Sequence, residues 1–168
     1  DLLSRNEVDL VVMGRAPDTP PCTAEVFASN PMAIVAAPAH PLSRRSRAPL
    51  SLLKDEEFVV REAGSGTRAA MERLFAAKRL KPRIAMEMPS NETIKQAVMA
   101  GMGLSFLSLR TVRHELASGR LALLDIEGLP LMRHWYVTHR ANKRLSPAAQ
   151  AFKQFLVEEA GPMVDSWC

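Results

Sequence analysis

Residues 59–67 read Val-Val-Arg-Glu-Ala-Gly-Ser-Gly-Thr, and the rest of the chain is organised around this stretch. Apolar residues run into a turn of small residues and then into an amphipathic pattern up to Lys78, which predicts a strand, a tight turn and a helix. The first backbone N–H groups of a helix lack intrahelical acceptors and lie at the positive end of the helix dipole. The turn therefore predicts a site for a small polar or anionic molecule. Its residues are Gly64, Ser65, Gly66 and Thr67.

A second helix start follows the next predicted strand, Ile84 to Met88. Ser90 and Asn91 are suited to cap a helix, and Glu92 lies in the first turn, where the helix dipole favours a carboxylate. In open α/β sheets, ligands bind at the carboxyl ends of the strands, where helices begin. We therefore expect Ser90 and Asn91 to bind the same anion as the turn at 64–67. An alternative stays open, because Ser, Thr and Asn are also ordinary caps, and either motif alone is more often structural.

Two arginines flank the turn of the central stretch. Arg61 ends the predicted strand and Arg68 lies in the first turn of the predicted helix, so both are placed to pair with a bound anion. A simple outward projection from the strand and the helix accounts for them equally well. The sequence leaves the two interpretations open.

The order of apolar segments predicts the architecture. Strands and helices alternate from Phe58 to Ile126, which predicts an α/β lobe with a mostly parallel sheet. Val8 to Met13 is a near-continuous apolar run and predicts a buried parallel strand. The flanking pieces, 1–39 and 132–168, each hold a strand and at least part of a helix. We expect them to pair into a first lobe, with residues 40–131 inserted between them as a second lobe.

Composition and charge indicate an ordinary soluble protein. Hydrophobic residues make up 47% and charged residues 24%, and 168 residues suffice for one domain or two small lobes. The net charge of +4 is dispersed, which favours a solvated surface over a nucleic-acid interface. Cys22 and Cys168 fit no metal or redox spacing, so we expect reduced thiols and a cytoplasmic location. No segment has the length and apolarity of a membrane span, and no signal-peptide pattern is visible.

Motifs for catalysis or metal binding are not found in the sequence. The Gly-Ser-Gly turn lacks the Gly-x-Ser-x-Gly spacing of a nucleophile elbow and the Gly-Lys-Ser/Thr ending of a P-loop. The four histidines do not fall at zinc-ligand spacing. They are His40, His114, His134 and His139. We therefore expect a protein that is not an enzyme and that has no catalytic residue, no metal and no cofactor.

Four segments of the chain match one family in the same order. Arg61 to Arg68 resembles the Arg-Glu-x-Gly-Ser-Gly-Thr-Arg motif of LysR-type transcriptional regulators. Val8 to Val12 is similar to their Leu-Asp-Leu-Ala-Ile strand, and Ala39 to Leu42 to their Asp-His-Pro-Leu segment. Ala100 to Ser108 is similar to their Ala-Gly-x-Gly-Ile-x-x-Leu-Ser. Within the family, Pro89 to Val98 most resembles the CbbR-type regulators of carbon-fixation operons.

This resemblance implies a fold and a ligand. The fold is α/β and two-lobed, like that of the type 2 periplasmic binding proteins, and the chain crosses between lobes near Met32 to Ala39 and near Arg133 to Arg140. An inducer is implied between the lobes, approached by Gly14 and Arg15 from the first lobe. In CbbR-type members the inducers are sugar phosphates, organic phosphates or nicotinamide nucleotides. The partners implied are further copies of the chain, as dimers and tetramers, and DNA through an N-terminal helix-turn-helix that this sequence does not contain.

The chain departs from the family at its beginning. It starts at Asp1 without the strand, helix and strand that open the first lobe in the family, so we expect a fragment whose first lobe is N-terminally incomplete and which self-associates. Two other classes stay open. A solute-binding protein of a transport system has the same fold, and an enzyme with a two-lobed cleft is conceivable, although no residue constellation supports it.

Overall fold

The computed structural model describes residues 2–17 and 19–166 of the chain. The chain divides into two compact units, Asp1–Asn30 with Met132–Cys168 and Pro31–Leu131. The sequence analysis predicts the first boundary between lobes after residue 39, whereas the first unit is interrupted after Asn30. The predicted lobes, 1–39 with 132–168 and 40–131, stay predictions. The expectations for Asp1 and for the Cys168 thiol concern residues outside the described ranges. No helix within those ranges has the length and apolarity needed to cross a membrane.

Strands and helices alternate along the second unit. The first unit holds β1, the first part of β2, most of β7 and the C-terminal helices. The strands are β1 Val11–Met13, β2 Cys22–Ala36, β3 Glu57–Arg61, β4 Arg83–Met88, β5 Ser105–Ser108, β6 Ala122–Leu123 and β7 Leu131–Arg140. The α-helices are α1 Gly66–Ala77, α2 Asn91–Met99, α3 Arg113–Ala117, α4 Pro147–Phe155 and α5 Gly161–Asp165. A π-helical segment, Leu156–Ala160, joins α4 to α5.

The first unit contains an antiparallel arrangement that the sequence did not predict. β1 pairs antiparallel with β7, with Val11 opposite Thr138 and Met13 opposite Tyr136. The prediction of a buried parallel strand at Val8 to Met13 is therefore wrong. β1 lies at the end of the strand order β1-β7-β2, and the side chain of Val12 is exposed. An apolar run does not reveal whether both of its faces are covered, because that depends on which strand returns beside it.

Polar contacts hold the C-terminal helices of the first unit against β2. The Asp165 carboxylate accepts hydrogen bonds from the Ser29 N–H at 2.9 Å and from the Ser29 hydroxyl at 2.7 Å. Lys153 on α4 pairs with Glu25 on β2 at 2.8 Å. The side chains of Phe152 and Phe155 on α4 are exposed.

The sheet of the second unit is parallel at its centre and antiparallel at one side. β3 and β4 are parallel, with Arg61 opposite Met88. Leu104, just before β5, continues this parallel order, because its N–H donates to Glu57 O and its carbonyl accepts from Val59 N–H, both at 2.8 Å. β5 and β6 instead pair antiparallel with β2. The predicted parallel order thus holds for β3, β4 and Leu104, which are connected through α1 and α2. β2 precedes these strands in the chain and pairs antiparallel with β5 and β6.

Side chains of β3 separate the apolar interior of the second unit into two layers. Phe58 and Val60 belong to a cluster that includes Met71 and Phe75 of α1, and the rings of Phe58 and Phe75 meet edge to face with centroids 5.4 Å apart. Val59, between them in sequence, belongs to the other cluster, with Ile94 and Val98 of α2. Because successive strand residues point to opposite faces, α1 and α2 pack on opposite faces of the sheet.

Candidate functional site

Helix α1 begins immediately after the small-residue turn. Gly64 has φ of +89°, a conformation that glycine adopts without the steric penalty that a Cβ would bring. The Ser65 hydroxyl accepts a hydrogen bond from Thr67 N–H at 3.3 Å, and Ser65 O accepts from Ala69 N–H at 3.0 Å. Ser65 is thus the N-cap of α1, and its oxygen already serves one of the free N–H groups of the first turn.

Helix α2 begins with a cap of the same residue type but different contacts. Ser90 is the N-cap, and its side chain makes no capping hydrogen bond. The first backbone bond of the helix is donated by Ile94 N–H to Ser90 O at 3.1 Å. Asn91 accepts a hydrogen bond on Oδ1 from Arg61 Nη1 at 3.1 Å. Among the described residues, no protein partner is found for Ser90 Oγ, for the Asn91 side-chain NH₂ or for Thr67 Oγ1.

The two helix starts lie at one edge of the parallel strands and are joined to each other. The register of β3 with β4 places Arg61 opposite Met88, so both turns leave the same edge of the sheet. Glu87 of β4 accepts from Ala63 N–H at 3.2 Å and from Arg68 Nη1 at 3.3 Å. Together with the bond between Arg61 and Asn91, these contacts bring residues 64–67 and 90–91 to one edge of the sheet, and their role as a ligand site stays a prediction.

Both flanking arginines are paired with carboxylates of their own unit. Arg61 donates from Nε and Nη2 to the two oxygens of Glu62, at 2.7 and 2.8 Å. The hydrogen bond from Arg61 is the main reason that the pKa of Glu62 is lowered, and the hydrogen bond to Glu62 raises the pKa of Arg61. Arg68 forms ion pairs with Glu72 and Glu87. Both guanidinium groups are thus already paired with carboxylates, so the donors left for an anion at this edge are hydroxyl and amide groups.

The other predicted contacts, Gly14 and Arg15, belong to the first unit. They follow β1 directly, and Gly14 O accepts a hydrogen bond from Arg133 Nη2 at 3.2 Å. Their role as ligand contacts stays a prediction. Within residues 2–17 and 19–166, no group of three or more His, Cys, Asp or Glu side chains is placed to hold a metal ion.

Sequence reasoning missed the acidic residues that organise the site. Glu62 adjoins Arg61 in sequence, so their pairing had a visible signal in the opposite charges of neighbouring residues. Glu87 had a weaker signal, because its relation to Arg68 depends on the register of β4 against β3. Only the folded chain identifies Glu87 as the residue that accepts hydrogen bonds from both Ala63 and Arg68.

Comparisons with known proteins agree with this fold and identify the family of the chain. Residues 1–161 match the family described as LysR substrate binding domain. The chain is 48% identical over 162 residues to a RuBisCO operon transcriptional regulator of Allochromatium vinosum, covering 96% of the chain and 54% of that protein. It is 49% identical over 155 residues to the HTH-type transcriptional regulator CbbR of Rhodospirillum rubrum, covering 92% and 51%. The chain thus spans about half the length of these curated relatives.

Solved structures extend the comparison to the fold. The regulatory domain of Synechocystis CcmR, in complex with 2-PG, is 38% identical with a TM-score of 0.89, covering 95% of the chain and 78% of that domain. The effector binding domain of QuiR in complex with shikimate is 23% identical with a TM-score of 0.83, covering 96% and 76%, which shows the fold alone. The predicted fold class is confirmed, and so is the predicted likeness to CbbR-type regulators.

Proposed function

The chain belongs to the LysR substrate-binding-domain family, and we propose that it senses a small phosphorylated anion on behalf of a bacterial transcriptional regulator. Family membership makes the chain an effector-binding domain of LysR type. The chemical class of the effector is the proposal. The relatives are transcriptional regulators, so the expectation that the chain performs no chemistry is confirmed and the solute-binding alternative is not favoured.

One observation carries the proposal of an anionic ligand. Two helix starts share one edge of a sheet, and the second start leaves the Ser90 hydroxyl and the Asn91 amide group without protein acceptors among the described residues. Hydroxyl, amide and helix N-terminal donors are the groups that bind phosphate and carboxylate oxygens. The 2-PG complex of a domain 38% identical to this chain supports a ligand that carries both kinds of oxygen.

The proposed contacts follow from the donors at this edge. Ser90 Oγ, the Asn91 amide and Thr67 Oγ1 would donate to ligand oxygens, and the backbone of 64–66 would line the turn. Gly14 and Arg15 stay proposed contacts from the first unit. Sugar phosphates, organic phosphates and nicotinamide nucleotides all present such oxygens, and 2-phosphoglycolate is the smallest candidate.

A population shift is the proposed mechanism of regulation. A ligand that binds one conformation of the domain better than another shifts the equilibrium by its difference in affinity for the two. In the whole regulator, this shift would alter how copies of the chain associate and how an N-terminal helix-turn-helix meets DNA. Curated relatives of HTH type support this arrangement for the intact protein.

Calorimetry on the intact regulator tests the proposal. We expect 2-phosphoglycolate, glucose 6-phosphate or NADPH to bind, and glycolate without phosphate to bind at least tenfold more weakly, because it lacks the charged oxygens that accept from the helix starts. Inorganic phosphate serves as the control for adventitious anion binding. Absence of binding by every phosphorylated compound, with a folded protein by circular dichroism, would overturn the proposed effector class.

A further inference from the structure

A buried ammonium group lies one turn beyond the open start of α2. The Lys95 side chain is 7% exposed and meets an oxygen of each of three residues, which we call the Lys95 cluster together with the lysine itself. The distances are 2.8 Å to Glu92 Oε1, 3.0 Å to Glu115 Oε1 and 3.3 Å to Thr111 O. An ammonium has three N–H donors, so each of them has an acceptor in this cluster.

Both members of the buried pair are charged. Burial acts to lower the pKa of Lys95, but the hydrogen bonds and charges of Glu92 and Glu115 outweigh it and raise that pKa. Burial acts to raise the pKa of Glu115, but the hydrogen bond and charge of Lys95 prevail and lower it. Buried ion pairs are poor stabilisers compared with apolar side chains of the same size. Net stability therefore gives a weak reason for this cluster.

The Lys95 cluster restricts the orientation of α2, which its apolar contacts restrict less strictly. Ile94 and Val98 attach the helix to the sheet through packing, which has no strict direction. Hydrogen bonds from Lys95 do have direction, so they set the rotation of α2 about its axis and its position along that axis. Ser90 and Asn91 lie at the start of the same helix and move with it.

The acceptors of Lys95 belong to a well-anchored segment. Thr111 and Glu115 lie on the loop and helix that follow β5, where Val112 is fully buried. Leu109 N–H in that loop donates to Pro31 O of β2 at 2.9 Å. The segment from 109 to 115 thus supplies a fixed reference against which the start of α2 is held.

We infer that Lys95 is a positioning residue, which, through Glu115 and Thr111, holds Ser90 and Asn91 where they bind the anionic effector. The inference rests on the proposed function, because it assigns Lys95 a task at that same site. Lys95 itself does not touch the ligand. Its loss would leave both donors present but displaced, and affinity would fall without a comparable loss of stability.

A double variant separates position from stability. Lys95→Met alone would leave the Glu115 carboxylate buried without its cation, so Lys95→Met is combined with Glu115→Gln, which removes both charges. We expect the Kd for 2-phosphoglycolate, measured by calorimetry on the intact regulator, to rise about tenfold, equivalent to the loss of a hydrogen bond to a charged group. An unchanged Kd in the folded double variant would overturn the inference.

Two comparison variants exclude a merely structural effect. Ile126→Ala removes apolar volume from the layer under α1, on the face of the sheet opposite α2, and should lower the melting temperature with little change in Kd. Lys95→Arg keeps a cation at the position and should retain affinity better than the double variant. If Ile126→Ala weakens binding as much as the double variant does, lost stability explains the effect and the inference fails.

The outcomes also distinguish this inference from the proposed function. Ser90→Ala and Asn91→Ala remove donors directly, so unchanged affinity in both contradicts the proposed function itself. Weakened binding in those variants with an unchanged Kd in the double variant contradicts only the role of Lys95. The amide NMR signals of Ser90 and Asn91 in the ligand-free protein give a further test. These signals should shift in the double variant and stay unchanged in Ile126→Ala. The reverse pattern would refute the positioning role of Lys95, and this test does not depend on the identity of the ligand.

Discussion

Helices α1 and α2 both begin with a serine cap at the same edge of the sheet, but only one cap is closed. Ser65 accepts from Thr67 N–H at 3.3 Å, whereas the Ser90 side chain accepts no capping bond. The two caps also differ in backbone conformation, with φ of −64° at Ser65 and −121° at Ser90. A serine before a helix therefore does not always cap it through the side chain, and the Ser90 hydroxyl keeps its donor for the proposed ligand.

A substitution at Gly103 should disturb most strongly the sheet whose edge holds the first residues of both α1 and α2. A Cβ on Gly103 would lie 2.6 Å from Glu57 O, and its φ of +144° already disfavours any side chain. We expect Gly103→Ala to lower the free energy of unfolding by about 3 kcal/mol, measured by urea denaturation. Gly101→Ala is the matched control, because Gly101 has φ of +78°, but within the described part of the chain no heavy atom beyond its chain neighbours lies within 4 Å of its Cβ position. Equal losses in the two variants would mean that the close contact is not what matters.

The open start should respond to mutation through affinity. Ser90→Ala removes a hydroxyl that makes no capping bond, so we expect a melting temperature close to that of the parent. Affinity for 2-phosphoglycolate should fall about tenfold, because a hydrogen bond to a charged oxygen is lost. Calorimetry and thermal melting on the same preparation check both parts. A drop in melting temperature with unchanged affinity would reverse the assignment of the two starts.

The closed start should respond through stability. Ser65→Ala removes the acceptor of Thr67 N–H and should cost about 1 kcal/mol, or roughly 2–4 °C in melting temperature. Its effect on affinity should be smaller than that of Ser90→Ala. Ser146→Ala in the first unit is the control, because Ser146 caps α4 by accepting from Ala149 N–H at 3.2 Å. We expect Ser65→Ala and Ser146→Ala to lower the melting temperature by similar amounts. An unchanged melting temperature in Ser65→Ala would mean that the caps at Ser65 and Ser90 do not differ in their contribution to stability.

The smallest effect concerns the carboxylate beside the closed start. The hydrogen bond from Arg61 holds the pKa of Glu62 below its ordinary value. A lowered pKa in the folded state stabilises the protein above the pKa of the unfolded state, and this stabilisation is lost as the pH falls through the lowered value. We expect an NMR titration of the Glu62 carboxyl carbon to show that low pKa, and Arg61→Gln to return it towards the ordinary range.

A control separates the two partners of Arg61. Asn91→Ala removes the other acceptor of the guanidinium and should leave the pKa of Glu62 low. Because the Glu62 side chain is 38% exposed, solvent screens the pair and the change in melting temperature should be slight. A Glu62 pKa that rises as much in Asn91→Ala as in Arg61→Gln would mean that the bond to Asn91 orients the pair.

Local signals in the sequence were sufficient for much of the fold. Small residues before an amphipathic pattern predict a helix start at residues 64–67, and α1 begins at Gly66. The sequence offers Ser90 and Asn91 as caps of α2, and the cap is Ser90. These features depend on neighbours within one helical turn, so they are visible in a linear chain. The common edge shared by the two starts also followed, because parallel strands joined by helices end on the same side.

Features that depend on distant partners were not visible. The direction of β1 is set by β7, which lies at the other end of the chain. Arg68 pairs with Glu87 because of the register between two strands, and Lys95 meets Glu115 across two helices. The sequence also gave no means of telling the cap at Ser65 from the cap at Ser90, because both are serines before a helix. Tertiary packing decides each of these contacts.

The alternation of Phe58, Val59 and Val60 along β3 has a consequence for hydrogen exchange. It places α1 and α2 in separate apolar layers, on opposite faces of one sheet. A ligand bound by the first residues of both helices would therefore be connected to both layers. Local unfolding of either layer would then require the ligand to dissociate first. Amide protons of Met71 in one layer and Val98 in the other would then gain protection together and by the same factor.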